Sequence, residues 1–187
     1  MAENSGEGGN IILGVSGSIA AYKACSVVRG LMTRGHQVRV VMSEAAQHLV
    51  TATTFRALSG NPVVTSLWIE ETEAGLVHIG LADWADALAV VPASADIIAK
   101  CALGLADEIL STTWLACDCP KVVAPAMNDR MWNNPATARN VEALAAQDGV
   151  HLIQPVEGRL ASGKVATGHL APVERIVEKI HQVAAGA

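Results

Sequence analysis

The residues best equipped for chemistry stand together in one octet, Pro125-Ala126-Met127-Asn128-Asp129-Arg130-Met131-Trp132. It follows the apolar run Val122-Val123-Ala124, which reads as a buried parallel strand, and it precedes a helical pattern from Ala136 onward. It therefore falls where a strand's carboxyl end meets the next helix, the edge at which open α/β sheets bind ligands. An ordinary turn needs only Gly, Asn, Asp or Pro. Two methionines, a tryptophan, an amide and an Asp-Arg pair are a richer set, although a loop capped by Asn128 or Asp129 with Met and Trp as core filler would also carry them.

Three further clusters carry reactive or ligand-binding groups. His78 opens a short helical pattern ahead of a strand. An imidazole titrates near pH ~6.5 and suits a general acid or base, or equally a helix cap. The turn Gly14-Val-Ser-Gly-Ser-Ile-Ala20 lacks the G-x-G-x-x-G spacing of dinucleotide sites. Gly17 and the N–H groups of Ser18 and Ile19 can still hold a phosphate at a helix N-terminus, with the Ser16 and Ser18 hydroxyls as added donors. The next strand ends in Ser43-Glu44, and a hydroxyl suits a phosphate better than a ribose diol, which favours a mononucleotide over NAD. Pro92-Ala93-Ser94-Ala95-Asp96 repeats the order strand, hydroxyl turn, helix, and can embrace the other side of the same ligand.

These groups need a scaffold, and the apolar runs supply one. Asn10 to Val15, Val38 to Met42, Ala87 to Val91, Lys121 to Ala124 and Val150 to Gln154 read as strands, with Val63 to Ile69 extended and Glu70 to Glu73 an acidic solvated loop. Helical patterns alternate with them, at Ile19 to Arg34, Ala45 to Leu58, Ile97 to Leu103, Ala106 to Ala116, Thr137 to Gln147 and Pro172 to Val183. This alternation predicts a single doubly wound α/β domain, Rossmann-like or flavodoxin-like, with about six parallel strands and helices on both faces. The domain spans 10–183, between a flexible tail at 1–9 and a short one at 184–187. Residues 155–169 read as a long loop, and Gly158, Gly163 and Gly168 make it a movable substrate lid in which Arg159, Lys164 and His169 are candidate contacts.

Composition narrows the class. Of the 187 residues 51% are apolar and only 3% aromatic, so the core is built from Ala, Val, Ile and Leu. A net charge of -5 without a Lys/Arg cluster argues against nucleic acid as a partner, and no run is long enough to span a membrane. The N-terminus has no basic and apolar leader, so the expected location is cytoplasmic, with the four cysteines reduced. Cys117-Asp118-Cys119 has the wrong spacing for a zinc or redox pair, and no metal is expected.

Gly14-Val-Ser-Gly-Ser-Ile-Ala-Ala-Tyr-Lys23, His78-Ile-x-Leu-x-x-Trp-Ala-Asp86, Pro92-Ala-Ser-Ala95 and Pro125-Ala-Met-Asn-x-x-Met-Trp132 follow one another in an order that closely resembles the homo-oligomeric flavin-containing cysteine decarboxylases. That family includes phosphopantothenoylcysteine decarboxylase of coenzyme A biosynthesis and the peptidyl-cysteine decarboxylases of ribosomal peptide biosynthesis. The resemblance implies FMN as cofactor. Gly17, Ser18, Ile19 and Ser43 would hold its phosphate and ribityl chain, and Ala93, Ser94, Ala95 and Asp96 would lie along the flavin. It also implies His78 as the active-site base and Asn128, with Met127 beside it, as the group that binds the substrate cysteine's carboxylate. The family forms trimers, often four to a dodecamer, with FMN at the subunit contact, so His78 and Asn128 can serve one site from different subunits.

One position departs from the coenzyme A pattern. Where that branch carries Leu-Ala-Cys-Gly, this chain reads Leu160-Ala161-Ser162-Gly163. A hydroxyl is a far weaker acid and redox partner than a thiol. The expectation is therefore an enzyme that stops at the aminoenethiol, by oxidative decarboxylation of the C-terminal cysteine of a ribosomally made precursor peptide, with Ser162 against that peptide. A phosphopantothenoylcysteine decarboxylase is the second reading, and a non-catalytic subunit of the same fold the third.

Overall fold

A computed structural model of the protein describes residues 8–68 and 76–186. The first seven residues of the expected tail and the acidic loop Glu70 to Glu73 lie outside them. In chain order the elements are β1 (Asn10–Val15), α1 (Ala21–Thr33), β2 (Gln37–Met42), α2 (Glu44–Gln47), α3 (Ala52–Ser59), β3 (Val63–Val64), α4 (Val77–Trp84), β4 (Ala87–Ala93), α5 (Ala95–Leu103), α6 (Ile109–Ala116), β5 (Lys121–Pro125), α7 (Asp129–Trp132), α8 (Pro135–Ala145), β6 (Val150–Leu152), β7 (Val156–Arg159), β8 (Val165–His169) and α9 (Val173–Ala185).

The six strands β3-β2-β1-β4-β5-β6 form one parallel sheet in that order. It is the doubly wound order 3-2-1-4-5-6, with its topological switch point between β1 and β4. Burial on both faces explains why β1, β4 and β5 are continuous apolar runs rather than alternating ones. Ile11, Leu13 and Val15 pack with α1, α3 and α9, whereas Ile12 packs with α4, α5, α6 and α8. Ile11, Ile12 and Leu13 are fully buried, each worth about 1.5–3 kcal/mol of transfer free energy.

The structure redraws three expected elements. The helix expected over Ala45 to Leu58 is two helices, α2 and α3, and the extended stretch from Val63 is a two-residue edge strand. The lid region is not an irregular loop. Val156–Arg159 and Val165–His169 pair as an antiparallel hairpin, closed by a turn in which Gly163 has φ +84° and the Leu160 N–H donates to the Lys164 carbonyl at 2.8 Å. No helix among the described residues is long and apolar enough to cross a membrane.

A histidine pair fastens α9 to the body. The Gly9 N–H donates to Nδ1 of buried His36 at 3.0 Å, leaving the His36 proton on Nε2 to reach Nδ1 of His181 at 2.9 Å. Arg34 and Glu178 form an ion pair beside it at 2.9 Å. Burial pushes the His36 pKa down; the Gly9 carbonyl opposes this, and His181 and Arg34 push it further down. A base with a depressed folded pKa stabilises the fold fully above its unfolded value, about 6.5, and that contribution is lost as the pH falls through the folded value. The urea midpoint should therefore drop between about pH 7.5 and about pH 5, and His36→Asn should flatten that slope.

Candidate active site

The carboxyl ends of β1, β4 and β5 open into one cavity of about 650 Å³. It is lined from the β1 turn by Gly17, Ser18 and Ile19, from the β4 turn by Ser94 and Ala95, and from the β5 turn by Met127 and Asn128. The β7–β8 hairpin covers it with Arg159, Ser162 and His169, and α1 adds Lys23. The cavity thus lies at the sheet edge chosen from sequence.

Three donors are left free at the N-terminus of α1 and beside it. Among the described residues no acceptor stands against the Gly17 or Ile19 N–H. The Ser18 hydroxyl accepts a weak bond from the Ala20 N–H at 3.4 Å and keeps its own proton to donate. Gly17 is required there, because a Cβ would come within 2.5 Å of the Ala45 methyl. Unpaired N–H groups at a helix N-terminus fit a phosphate, so this donor set suits a phosphorylated flavin. Ser43, N-cap of α2, accepts from the Ala46 N–H at 3.2 Å and stands beside the β1 end through its own N–H to the Val15 carbonyl, but it is not on the cavity wall. Ser94 caps α5 and lies on the wall.

Several expected ligands do not line the cavity of their own chain. The buried Ser16 hydroxyl donates to the Pro92 carbonyl at 2.7 Å and accepts from the Ser94 N–H at 2.8 Å. It rivets the two turns at the switch point and has no hydrogen left for a ligand. Ala93 is fully buried, and its carbonyl takes the Ala126 N–H at 3.1 Å. Asp96 turns outward to Lys100 at 3.5 Å, away from the cavity. His78 is half-buried in the first turn of α4 and does not line the cavity.

Asn128 is set up for one task. Its Oδ1 caps α7 by accepting the Arg130 N–H at 2.9 Å, which leaves both Nδ2 protons for a ligand. Next to it the buried Asp129 is ion-paired with Lys164 of the hairpin, and Lys164 holds the Asp129 carboxyl below the usual carboxylate range. The Met127 N–H donates to the Gly168 carbonyl at 3.0 Å. Gly168 has φ +141°, and a Cβ there would sit 2.3 Å from the Met127 carbonyl oxygen. Gly168→Ala should cost about 2–3 kcal/mol and detach the hairpin, read as a lower melting temperature and faster proteolysis near residues 160–164.

Lys23 was not assigned a role from sequence, yet its Nζ lies 3.1 Å from Nε2 of His169 on the cavity wall. A signal existed: it is a cation in the first turn of a helix, the end whose dipole disfavours it.

Known proteins with this sequence and shape narrow the reading. The coenzyme A biosynthesis bifunctional protein CoaBC of Bacillus subtilis is 46% identical over 169 residues, which are 90% of this chain and 41% of that protein. The chain thus spans less than half the length of the curated relatives it matches. A structure of the FMN-dependent cysteine decarboxylase SpaF superposes with a TM-score of 0.83 at 34% identity, covering 95% of this chain and 97% of that one. A cysteine-to-serine mutant of a PPC decarboxylase, complexed with pantothenoylaminoethenethiol, superposes with a TM-score of 0.83 at 32% identity, covering 94% and 97%.

These findings overturn the expectation of a peptidyl-cysteine decarboxylase. The similarity to coenzyme A proteins extends over nine-tenths of the chain, whereas the contrary reading rested on one side chain. Ser162 is exposed in the hairpin turn on the cavity wall, and it is one difference set against similarity over that whole extent. The family profile described as Flavoprotein matches residues 2–185, and with the cavity's phosphate donors and free Asn128 amide on the same edge, the chain belongs to the Flavoprotein family and to the FMN-dependent cysteine decarboxylases within it.

Proposed function

We propose that this chain decarboxylates phosphopantothenoylcysteine, using FMN, as a step of coenzyme A biosynthesis. The observation that carries the reading is the 46% identity to CoaBC across almost the whole chain. The cavity supports it: Lys23, Arg159 and His169 line it, with no aspartate or glutamate among the lining residues, which suits a small substrate bearing a carboxylate and a phosphate.

The roles follow from the free groups. The Gly17 and Ile19 N–H groups and the Ser18 hydroxyl hold the cofactor phosphate, with Ser43 and Ser94 as neighbouring hydroxyl donors. Bound FMN would supply a two-electron oxidation of the cysteine side chain, which gives the carbon beside the carboxylate somewhere to place the electron pair released with CO2, and would return the two electrons and a proton to the resulting aminoenethiol, so that the net decarboxylation is redox-neutral. Asn128 Nδ2 orients the carboxylate without neutralising it, so loss of the charge with CO2 is not opposed by a fixed cation there. His78 takes the thiol proton. Met127 packs beside the substrate, and the β7–β8 hairpin, with Ser162 at its turn, closes over it and excludes water.

His78 lies outside the cavity of its own chain; in this reading a second copy supplies it, in a trimer or a dodecamer of four trimers with FMN at the contact. The test is mass spectrometry of the purified yellow protein with phosphopantothenoylcysteine or with a peptide ending in cysteine. Loss of CO2 from the first and not the second is expected. Turnover of the peptide alone overturns the proposal.

A further inference from the structure

We propose that His169 is a positioning residue of this site, whose neutral imidazole holds the Lys23 ammonium over the cavity against the anionic substrate and releases it on protonation. Nothing in helix energetics accounts for Lys23 at its position. It is the third residue of α1, where the partial positive charge of the helix end repels an ammonium, and the first turn has no acidic residue. The cavity lining contains no carboxylate either. Its observed partner is an imidazole lone pair.

The orientation of that lone pair is determined by the surroundings. His169 Nδ1 lies 3.0 Å from the Leu170 carbonyl, which can only accept, so the ring proton is on Nδ1 and Nε2 is free to accept from Lys23 at 3.1 Å. The ring is also clamped from the opposite strand. A Cβ on Gly158 would lie 2.9 Å from His169 Cγ, so the hairpin backbone lies flat against the imidazole. Lys23 is half-buried, and burial lowers its pKa. The pair therefore ties α1 to the hairpin and fixes a long, rotamer-rich side chain in one place.

Protonation of His169 removes the acceptor and sets two cations face to face. The groups around the ring would not compensate. From α1 come Lys23 and the Tyr22 phenol, and from β7 comes Arg159. Glu157 is exposed and off the cavity wall, and on α7 Asp129 is already held by Lys164.

The substrate arm of the test rests on the proposed function; the hydrogen-exchange arm does not. The Michaelis constant for phosphopantothenoylcysteine is measured in wild type, His169→Phe, His169→Gln, Lys23→Met and the Lys23→Met/His169→Phe double variant. Removing the acceptor should raise KM about tenfold at pH ~8 with kcat within about twofold, and adding it to Lys23→Met should change nothing further. His169→Gln, whose amide oxygen accepts but does not titrate, should restore KM. It should also abolish the rise in wild-type KM expected on acidification, because its side chain does not take up a proton. Without substrate, the protection of β8 amides, each referred to its intrinsic exchange rate at that pH, should fall on acidification in wild type and not in His169→Gln. A wild-type KM in His169→Phe, an additive double variant, or β8 exchange that ignores the substitution overturns the pairing. Failure of every variant, wild type included, to decarboxylate the substrate overturns the proposed function instead and leaves the exchange result standing.

Discussion

Asn128→Asp abolishes turnover while leaving the fold and the yellow colour intact. The reason lies in the division of labour within one amide. Oδ1 is committed to the Arg130 N–H at 2.9 Å, and a carboxylate makes that cap equally well. Melting temperature should thus stay within about 2 °C of wild type. In the proposed site Nδ2 is the half that meets the substrate, and aspartate would replace its donor with a negative charge facing a negative carboxylate. A lost charge-assisted hydrogen bond and a like-charge contact at partly screened dielectric together come to about 4 kcal/mol, or about a thousandfold in kcat/KM. Asn128→Ala separates the two halves: it should lose the cap as well and melt lower. Normal turnover by Asn128→Asp would show that the amide does not touch the substrate.

What could be read from the chain follows from how local each signal is. β1, β4 and β5 were legible because burial on both faces makes three or more consecutive apolar residues unavoidable. The hairpin was not, because Val156–Arg159 and Val165–His169 pair with each other off the main sheet, half exposed, and their glycines and charges look like loop. Gly168 belongs there for a tertiary reason, its contact with Met127, and no local pattern announces that. The same holds for the serines. Ser16 and Ser18 are two residues apart in one turn, yet only the position of Pro92 across the switch point makes the first a rivet and leaves the second a donor. Asp96 does not line the cavity of its own chain, and the cue was visible, since Lys100 stands four residues on in the same helix within 3.5 Å of its carboxylate. Ser162 misled in another way. Its hydroxyl is one chemical difference at an exposed turn, and it weighs less than similarity to coenzyme A proteins over nine-tenths of the chain.

Two inactive variants, His78→Asn and Asn128→Asp, should become active when expressed together. If the proposed shared site exists, each alone gives a homo-oligomer in which every site lacks one of the two groups. His78 lies in the first turn of α4, a helix that runs back along the sheet and so begins near the carboxyl edge that carries the cavity, yet it does not line that cavity in its own chain. Around it Leu76 and Ile79 are exposed, as are Ile19, Tyr22 and Met131 at the cavity mouth. Apolar surface of this kind on the two parts of one incomplete site suits contact between copies. If each site takes His78 from one chain and Asn128 from the next, random mixing of equal amounts leaves about a quarter of sites with both groups intact. Co-expressed protein should then recover about that share of wild-type activity, while the separately purified variants stay inactive. Sites built within one chain would behave otherwise: each would carry one defect whatever its neighbours, and co-expression would recover nothing. A gain from near zero to about a quarter is too large to confuse with a change in stability, so this measurement separates a shared site from a self-contained one even if both variants fold and bind FMN normally.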